Sequence, residues 1–152
     1  MLFKEVLGLE KTKQQLTNAL DKRRIAHSQL FSGSKGSGKL ALAVAYAQFI
    51  NCESPSSQDS CGKCSSCLKY NKLSHPDFHI IFPVVKKSST DTPYSKDFHG
   101  KWKEQFLQNP YFSLKDWMFN YKEVFLEKSS DKKKESVIYS HQIKELNRKI
   151  SL

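Results

Sequence analysis

The stretch FSGSKGSGKLALAVAYA, Phe31 to Ala47, decides the fold. Gly33, Gly38 and Lys39 match G-x-x-x-x-G-K, the pattern of a phosphate-binding loop. The residues on either side suit that reading. His27 to Phe31, HSQLF, predicts a short buried strand, and Lys39 to Cys52 predicts a helix, with Ala41, Ala43, Ala45 and Ala47 set among Leu42, Val44, Tyr46 and Phe49. A strand, a glycine turn and a helix opening on lysine make an anion cradle. Glycines let backbone N–H groups point inward, and the helix N-terminus adds partial positive charge. Gly33, Gly36, Ser37, Gly38, Lys39 and Leu40 are therefore the candidate nucleotide-binding residues. Leu40 breaks the pattern. Ser or Thr belongs there, because its hydroxyl ligates the Mg²⁺ that neutralises charge in phosphoryl transfer. ATP or ADP is expected to dock weakly through amides and Lys39, with poor Mg²⁺ coordination and crippled hydrolysis, so no catalytic residue is assigned. No acidic pair for Mg²⁺ follows an apolar strand, and the chain stops directly after a helix that would lead into another strand. It is expected to be part of a larger module.

Cys52, Cys61, Cys64 and Cys67 are all the cysteines of the chain and stand as C-x8-C-x2-C-x2-C. Thiols this dense in a chain without secretory features point to metal before disulfides. Four sulfurs around one ion make the closed tetrahedral site of structural zinc, which holds a loop together and performs no chemistry. Gly62 suits the turn between Cys61 and Cys64. An iron–sulfur run would want a further cysteine three residues on, usually followed by Pro, and residue 71 is Asn. That reading and free or paired thiols stand as the alternatives. His75 and His79 are nearby, but a capping role beside Pro76 explains His75 and four thiolates suffice for one ion.

The chain of 152 residues is long enough for one domain with a core and carries a formal charge of +10. The excess sits in Lys22-Arg23-Arg24, Lys86-Lys87 and Lys132-Lys133-Lys134, none with the interleaved aromatics of a stacking platform. No apolar run approaches the roughly 20 residues that cross a bilayer, and MLFKEVLGLEK lacks the layout of a signal peptide, so a cytoplasmic, non-membrane protein is expected. Glu10 to Arg24 predicts a helix with Leu16, Ala19 and Leu20 inward, and Pro76 to Val85 a second strand ended by Pro83. Ser88 to Gly100 reads as a polar loop. Two helices are expected from GKWKEQFLQNP and SLKDWMFNYKEVFLEK, the second capped by Ser113 and striped by Leu114, Trp117, Met118, Tyr121 and Phe125. Ser129 to Glu135 reads as a charged linker. Ser140 is placed to cap a last helix carrying Ile143, Leu146 and Ile150. Strands separated by helices predict an α/β fold with parallel pairing.

Together these features resemble the clamp-loader ATPase-like subunits of bacterial DNA polymerase III, in the AAA+ class. The resemblance rests on EVLGLEKTKQQLTNALDKRRIAHSQLFSG, the phosphate loop, the cysteine spacing, the lead SHPDFHIIFP and the helix IYSHQIKELNRKISL. It covers Val6 to about Pro83 and again about Ile138 to Ile150. It implies a P-loop AAA+-like three-layer α/β domain with a parallel sheet, of which residues 1–152 are the N-terminal part. Residues 52–67 would be an inserted zinc module and 84–136 a family-atypical, helical insertion. Leu40 and His75-Pro76-Asp77 favour the delta prime branch, whose role is a stator beside gamma/tau and delta in a hetero-pentamer that loads the sliding clamp onto primer–template DNA. The alternatives are the gamma/tau ATPase motor and a zinc-containing nucleic-acid-binding P-loop module. Whether nucleotide binds, and so whether the chain is an enzyme, stays open at this point.

Overall fold

A helix that is apolar on almost every side has to be surrounded, and α2, Lys39–Ile50, is the helix around which the first half of the chain packs. In the computed structural model, residues 1–22, 24–86, 88, 90–125 and 136–150 are described, without the side chains of 122–125 and 150. They divide into two units, Met1–Phe78 and His79–Leu152.

In the first unit, Ala41, Leu42, Val44, Ala45, Tyr46 and Phe49 of α2 are buried. Phe3 packs against Tyr46 and Phe49, with ring centroids 6.5 and 5.3 Å away. Helix α1 spans Glu10–Asp21. Its most buried residues are Lys13 and Thr17, while Leu16, Ala19 and Leu20 are half-buried. Lys13 can face inward because its stem is apolar and its ammonium reaches the Val6 carbonyl at 2.6 Å and Glu10 at 3.0 Å. The cysteine segment follows α2 and runs into α3, Ser65–Asn71.

The expected parallel sheet is not found among the described residues. Their only β pairing is one antiparallel bridge, Val84 with Val137. The predicted strand at 27–31 opens on a bend at His27 and Ser28 and joins no ladder, and all of it except Phe31 is exposed. It touches α2 through side chains alone, Gln29 Nε2 donating to the Tyr46 hydroxyl at 3.0 Å and the Phe31 ring lying 6.3 Å from that of Tyr46. The physical reason is that a strand with no neighbouring strand has nothing to receive its backbone hydrogen bonds. The described residues are therefore mostly helical.

The second unit is built on aromatic packing. Helix α4 spans His99–Gln108 and α5 spans Leu114–Phe125. As expected, Ser113 caps α5: its Oγ accepts from Asp116 N–H at 3.3 Å, while the Asp116 carboxylate accepts from Ser113 N–H at 2.7 Å. Trp117 and Tyr121 point inward, but Leu114 is 52% exposed and leaves the expected stripe; the Phe125 side chain lies outside the described residues. Trp117 stands edge-on to Phe82, 5.0 Å between centroids, and its Nε1–H donates to the Pro83 carbonyl at 3.1 Å. The Tyr121 hydroxyl donates to Val85 O at 3.1 Å. Helix α6, Ser140–Ile150, turns Gln142 inward at 3% exposure and leaves Ile143 at 42%. Gln142 is buried because it has a partner: Ser95 N–H donates to its Oε1 at 2.9 Å, and Ser95 Oγ in turn accepts from Phe82 N–H at 3.0 Å. The linker expected at 129–135 lies outside the described residues.

Candidate functional site

The phosphate loop forms as its glycines require. Gly36 and Gly38 have φ of +72° and +78°, the left-handed region in which a side chain is strained. Gly38 is the residue before α2, so the loop opens directly on that helix's N-terminus. Lys39 folds back over it: Nζ donates to the carbonyls of Gly33 at 2.9 Å and Ser34 at 2.6 Å and lies 3.4 Å from Ser37 Oγ. A Cβ on Gly33 would sit 3.0 Å from Ser37 Oγ, so a side chain there would press on the serine hydroxyl. Gly33, Ser37 and Lys39 are thus in contact, with Gly36 and Gly38 shaping the turn. Leu40, half-buried, occupies the second position of α2 and offers no side-chain oxygen there.

The four cysteines converge. The sulfurs of Cys52, Cys61, Cys64 and Cys67 all lie within 4.8 Å of one another, and Cys61 and Cys67 are 3.9 Å apart. A tetrahedral ion with metal–sulfur bonds of ~2.3 Å separates its sulfurs by about 3.8 Å. The cluster therefore fits one ion with little adjustment. Backbone amides support the sulfurs: Cys61 N–H donates to Cys52 Sγ at 3.2 Å, Cys64 N–H to Cys61 Sγ at 3.3 Å and Cys67 N–H to Cys64 Sγ at 3.4 Å. Gly62, at φ +72°, makes the expected turn. Cys64 caps α3, so its sulfur faces a helix N-terminus. The thiols are unequal. The N–H groups of Lys63 and Cys64 hold Cys61 down to about 6, whereas burial raises Cys52 and, with Cys64 beside it, pushes Cys67 up to about 12. Such a donor set could hold a metal ion as a closed site.

The cysteine segment is bound to the rest of the unit by groups that the spacing of cysteines does not announce. The Asp59 carboxylate accepts from Phe3 N–H at 2.9 Å, Lys4 N–H at 3.1 Å and Ser60 N–H at 2.8 Å. Gln48, fully buried on α2, donates to Ser60 Oγ at 3.2 Å. The Tyr70 hydroxyl accepts from Asn51 Nδ2 at 2.9 Å. A lone Gln in the Ala-rich helix was the one available signal. His75 is no ligand: its ring stacks on Tyr70 at 4.6 Å and its Nδ1 accepts from Asp77 N–H at 3.2 Å, the capping role expected of it. His79 is not among the metal-competent groups of the described residues.

Residues 8–152 match the family model described as DNA polymerase III, delta subunit. The chain belongs to this clamp-loader family. Curated relatives of the family agree with that placement. DNA polymerase III subunit tau of Bacillus subtilis is 37% identical over 65 residues, 43% of this chain and 12% of the relative. DNA polymerase III subunit gamma/tau of Mycobacterium tuberculosis is 42% identical over 66 residues, 43% of this chain and 11% of the relative. Protein STICHEL-like 4 of Arabidopsis thaliana is 39% identical over 69 residues, 45% of this chain and 7% of the relative. The chain thus spans only about a tenth of the length of these proteins. No solved structure matches. Within the clamp-loader family the loop and the cysteine cluster are the two candidate sites, and both lie in the first unit. No helix of the described residues is long and apolar enough to cross a membrane.

Proposed function

We propose that this chain belongs to a delta prime-type subunit of the DNA polymerase III clamp loader, a cytoplasmic stator that braces gamma/tau and delta in a hetero-pentamer while the sliding clamp is placed on primed DNA. The observation that carries this reading is the pairing of a well-formed Lys39 loop with Leu40. The glycines and the ammonium can receive a polyphosphate. Nothing at position 40 ligates Mg²⁺, so the loop binds weakly and does not fire. Cys52, Cys61, Cys64 and Cys67 would hold one structural zinc, which when bound cross-links α3 to the segment following α2. In domain terms, residues 1–152 are the N-terminal part of an AAA+ domain, 52–67 its zinc module and 84–136 an insertion.

One observation favours a second reading. The curated relatives named tau and gamma/tau match at 37–42% identity, which fits a motor subunit. ATP turnover by the full-length protein, alone and assembled with partner subunits, DNA and clamp, separates the two. The stator reading expects no turnover that disappears with Lys39→Ala in this subunit; turnover that does disappear favours the motor.

A further inference from the structure

Three separate segments of the second unit bring lysines and rings together. Lys86 Nζ lies over the Tyr139 ring, 4.9 Å from its centroid, and Lys96 Nζ lies over Tyr94 at 4.6 Å. Between the two tyrosines stands His141, nearly parallel to Tyr139 at 5.5 Å and edge-on to Tyr94 at 4.6 Å. His141 Nε2 is 3.0 Å from the Pro93 carbonyl, which orients the ring. All three residues are half-buried. The one carboxylate on the α6 side, Glu145, is answered by Lys96 at 2.8 Å and Lys149 at 3.9 Å. The result is an aromatic row with a lysine over each tyrosine, beside the Asp97 carboxylate that accepts from Tyr94 N–H at 3.0 Å, and no single stretch of sequence displays it.

We propose that this row, Tyr94–His141–Tyr139 with Lys86 and Lys96, is a binding surface for single-stranded DNA. A protein partner suits it poorly, since the centres of protein interfaces are depleted in lysine. The matching partner is a polyanion with flat faces. A stacked base is worth more to an aromatic ring than an exposed ammonium is. A base therefore displaces Lys86 or Lys96 from its ring, and the released lysine pairs with a phosphate. Duplex DNA has its bases already stacked and gains only the charge contacts. Stacking does not read the sugar, so the choice of DNA over RNA rests on membership of a DNA polymerase III family, not on the stator reading. Failure of the nucleotide tests leaves this surface untouched, and the reverse also holds.

The test is fluorescence anisotropy of a short labelled oligothymidylate with the intact protein, in nucleotide-free buffer across a salt series. Tyr139→Leu should weaken binding about tenfold, while Tyr139→Phe, which keeps the ring, should bind like the parent. Lys86→Ala should reduce the slope of log affinity against log salt by about 0.7, one phosphate contact on a single strand. Thermal melting separates a folding defect in Tyr139→Leu from a binding defect. The proposal is overturned by no binding, by equal affinity of the parent and Tyr139→Leu, by duplex bound as tightly as single strand, or by tighter binding of oligouridylate.

Discussion

Replacing Cys67 by serine tests whether the cysteine cluster is a metal site or a group of buried thiols. Cys67 is fully buried, and its sulfur is 3.9 Å from that of Cys61. Serine offers a hydroxyl that does not ionise near neutral pH, and its burial keeps a substitute water from the position. Structural zinc binds cysteine sites with roughly 10–16 kcal/mol, so losing one of four ligands removes roughly a quarter of that, about 3 kcal/mol or a hundredfold in affinity. The stability consequence follows by mass action. Zinc at about 100 times its dissociation constant stabilises the folded state by ~2.7 kcal/mol, which for a unit of this size is roughly 10–20 °C in melting temperature. The assay is thermal unfolding of parent and Cys67→Ser, each with and without a strong chelator. The parent should lose that margin on chelation and the variant should lose little, because it holds little metal. Equal shifts in both proteins, or no shift in the parent, would refute a four-thiolate site.

Other outcomes are as specific. Trp117→Ala should destabilise the second unit by about 3–5 kcal/mol through the cavity it leaves, and Trp117→Phe by about 1 kcal/mol or somewhat more through the unpaired Pro83 carbonyl, as read by urea unfolding. Lys39→Ala should abolish binding of polyphosphates in a filter or calorimetric assay while leaving the melting temperature nearly unchanged, because its contacts are to loop oxygens, the two carbonyls exposed and Ser37 Oγ half-buried. Both Asp116, held low by Ser113 N–H and hydroxyl, and Glu145, held low by Lys96, are more acidic in the folded state. Their contribution is therefore present above the ordinary carboxylate range and lost as pH falls from that range through their lower folded-state values. Acid titration should uncouple the start of α5 and the Lys96–Glu145 contact only once the pH has fallen below the ordinary carboxylate range, and Asp116→Asn with Glu145→Gln should flatten that part of the profile.

Local features were legible in the sequence and distant ones were not. The loop, α2 and the turn at Gly62 depend on neighbours within a few residues, and the glycine, alanine and cysteine spacings describe them directly. The strands at 27–31 and 76–85 were read from short apolar stretches, but strand formation depends on a partner that periodicity cannot supply. Helix faces were shifted where a polar group found a mate. Gln142 displaces Ile143 from the interior because Ser95 receives it, and Lys13 turns inward because the Val6 carbonyl does. Leu114 was counted with Trp117 by its spacing, yet it lies in the first turn of α5 beyond the reach of the Phe82 cluster. At the candidate sites, the four cysteine positions were visible as a pattern. Asp59 was not, since a single aspartate in a Ser-rich loop carries no sign that three backbone amides will converge on it. The ring-and-lysine row assembles from residues up to 55 positions apart, Lys86 to His141, and no window of sequence holds it.

In the proposed stator the Gly33–Lys39 loop takes up polyphosphate without a cation ligand at Leu40. Calorimetric titration of the protein with a non-hydrolysable ATP analogue, with and without added Mg²⁺ and with no chelator, measures this directly, and Leu40→Thr is its control. The account predicts weak binding that Mg²⁺ changes little in the parent, with Mg²⁺ dependence gained in Leu40→Thr. Tight, Mg²⁺-dependent binding by the parent protein would contradict it.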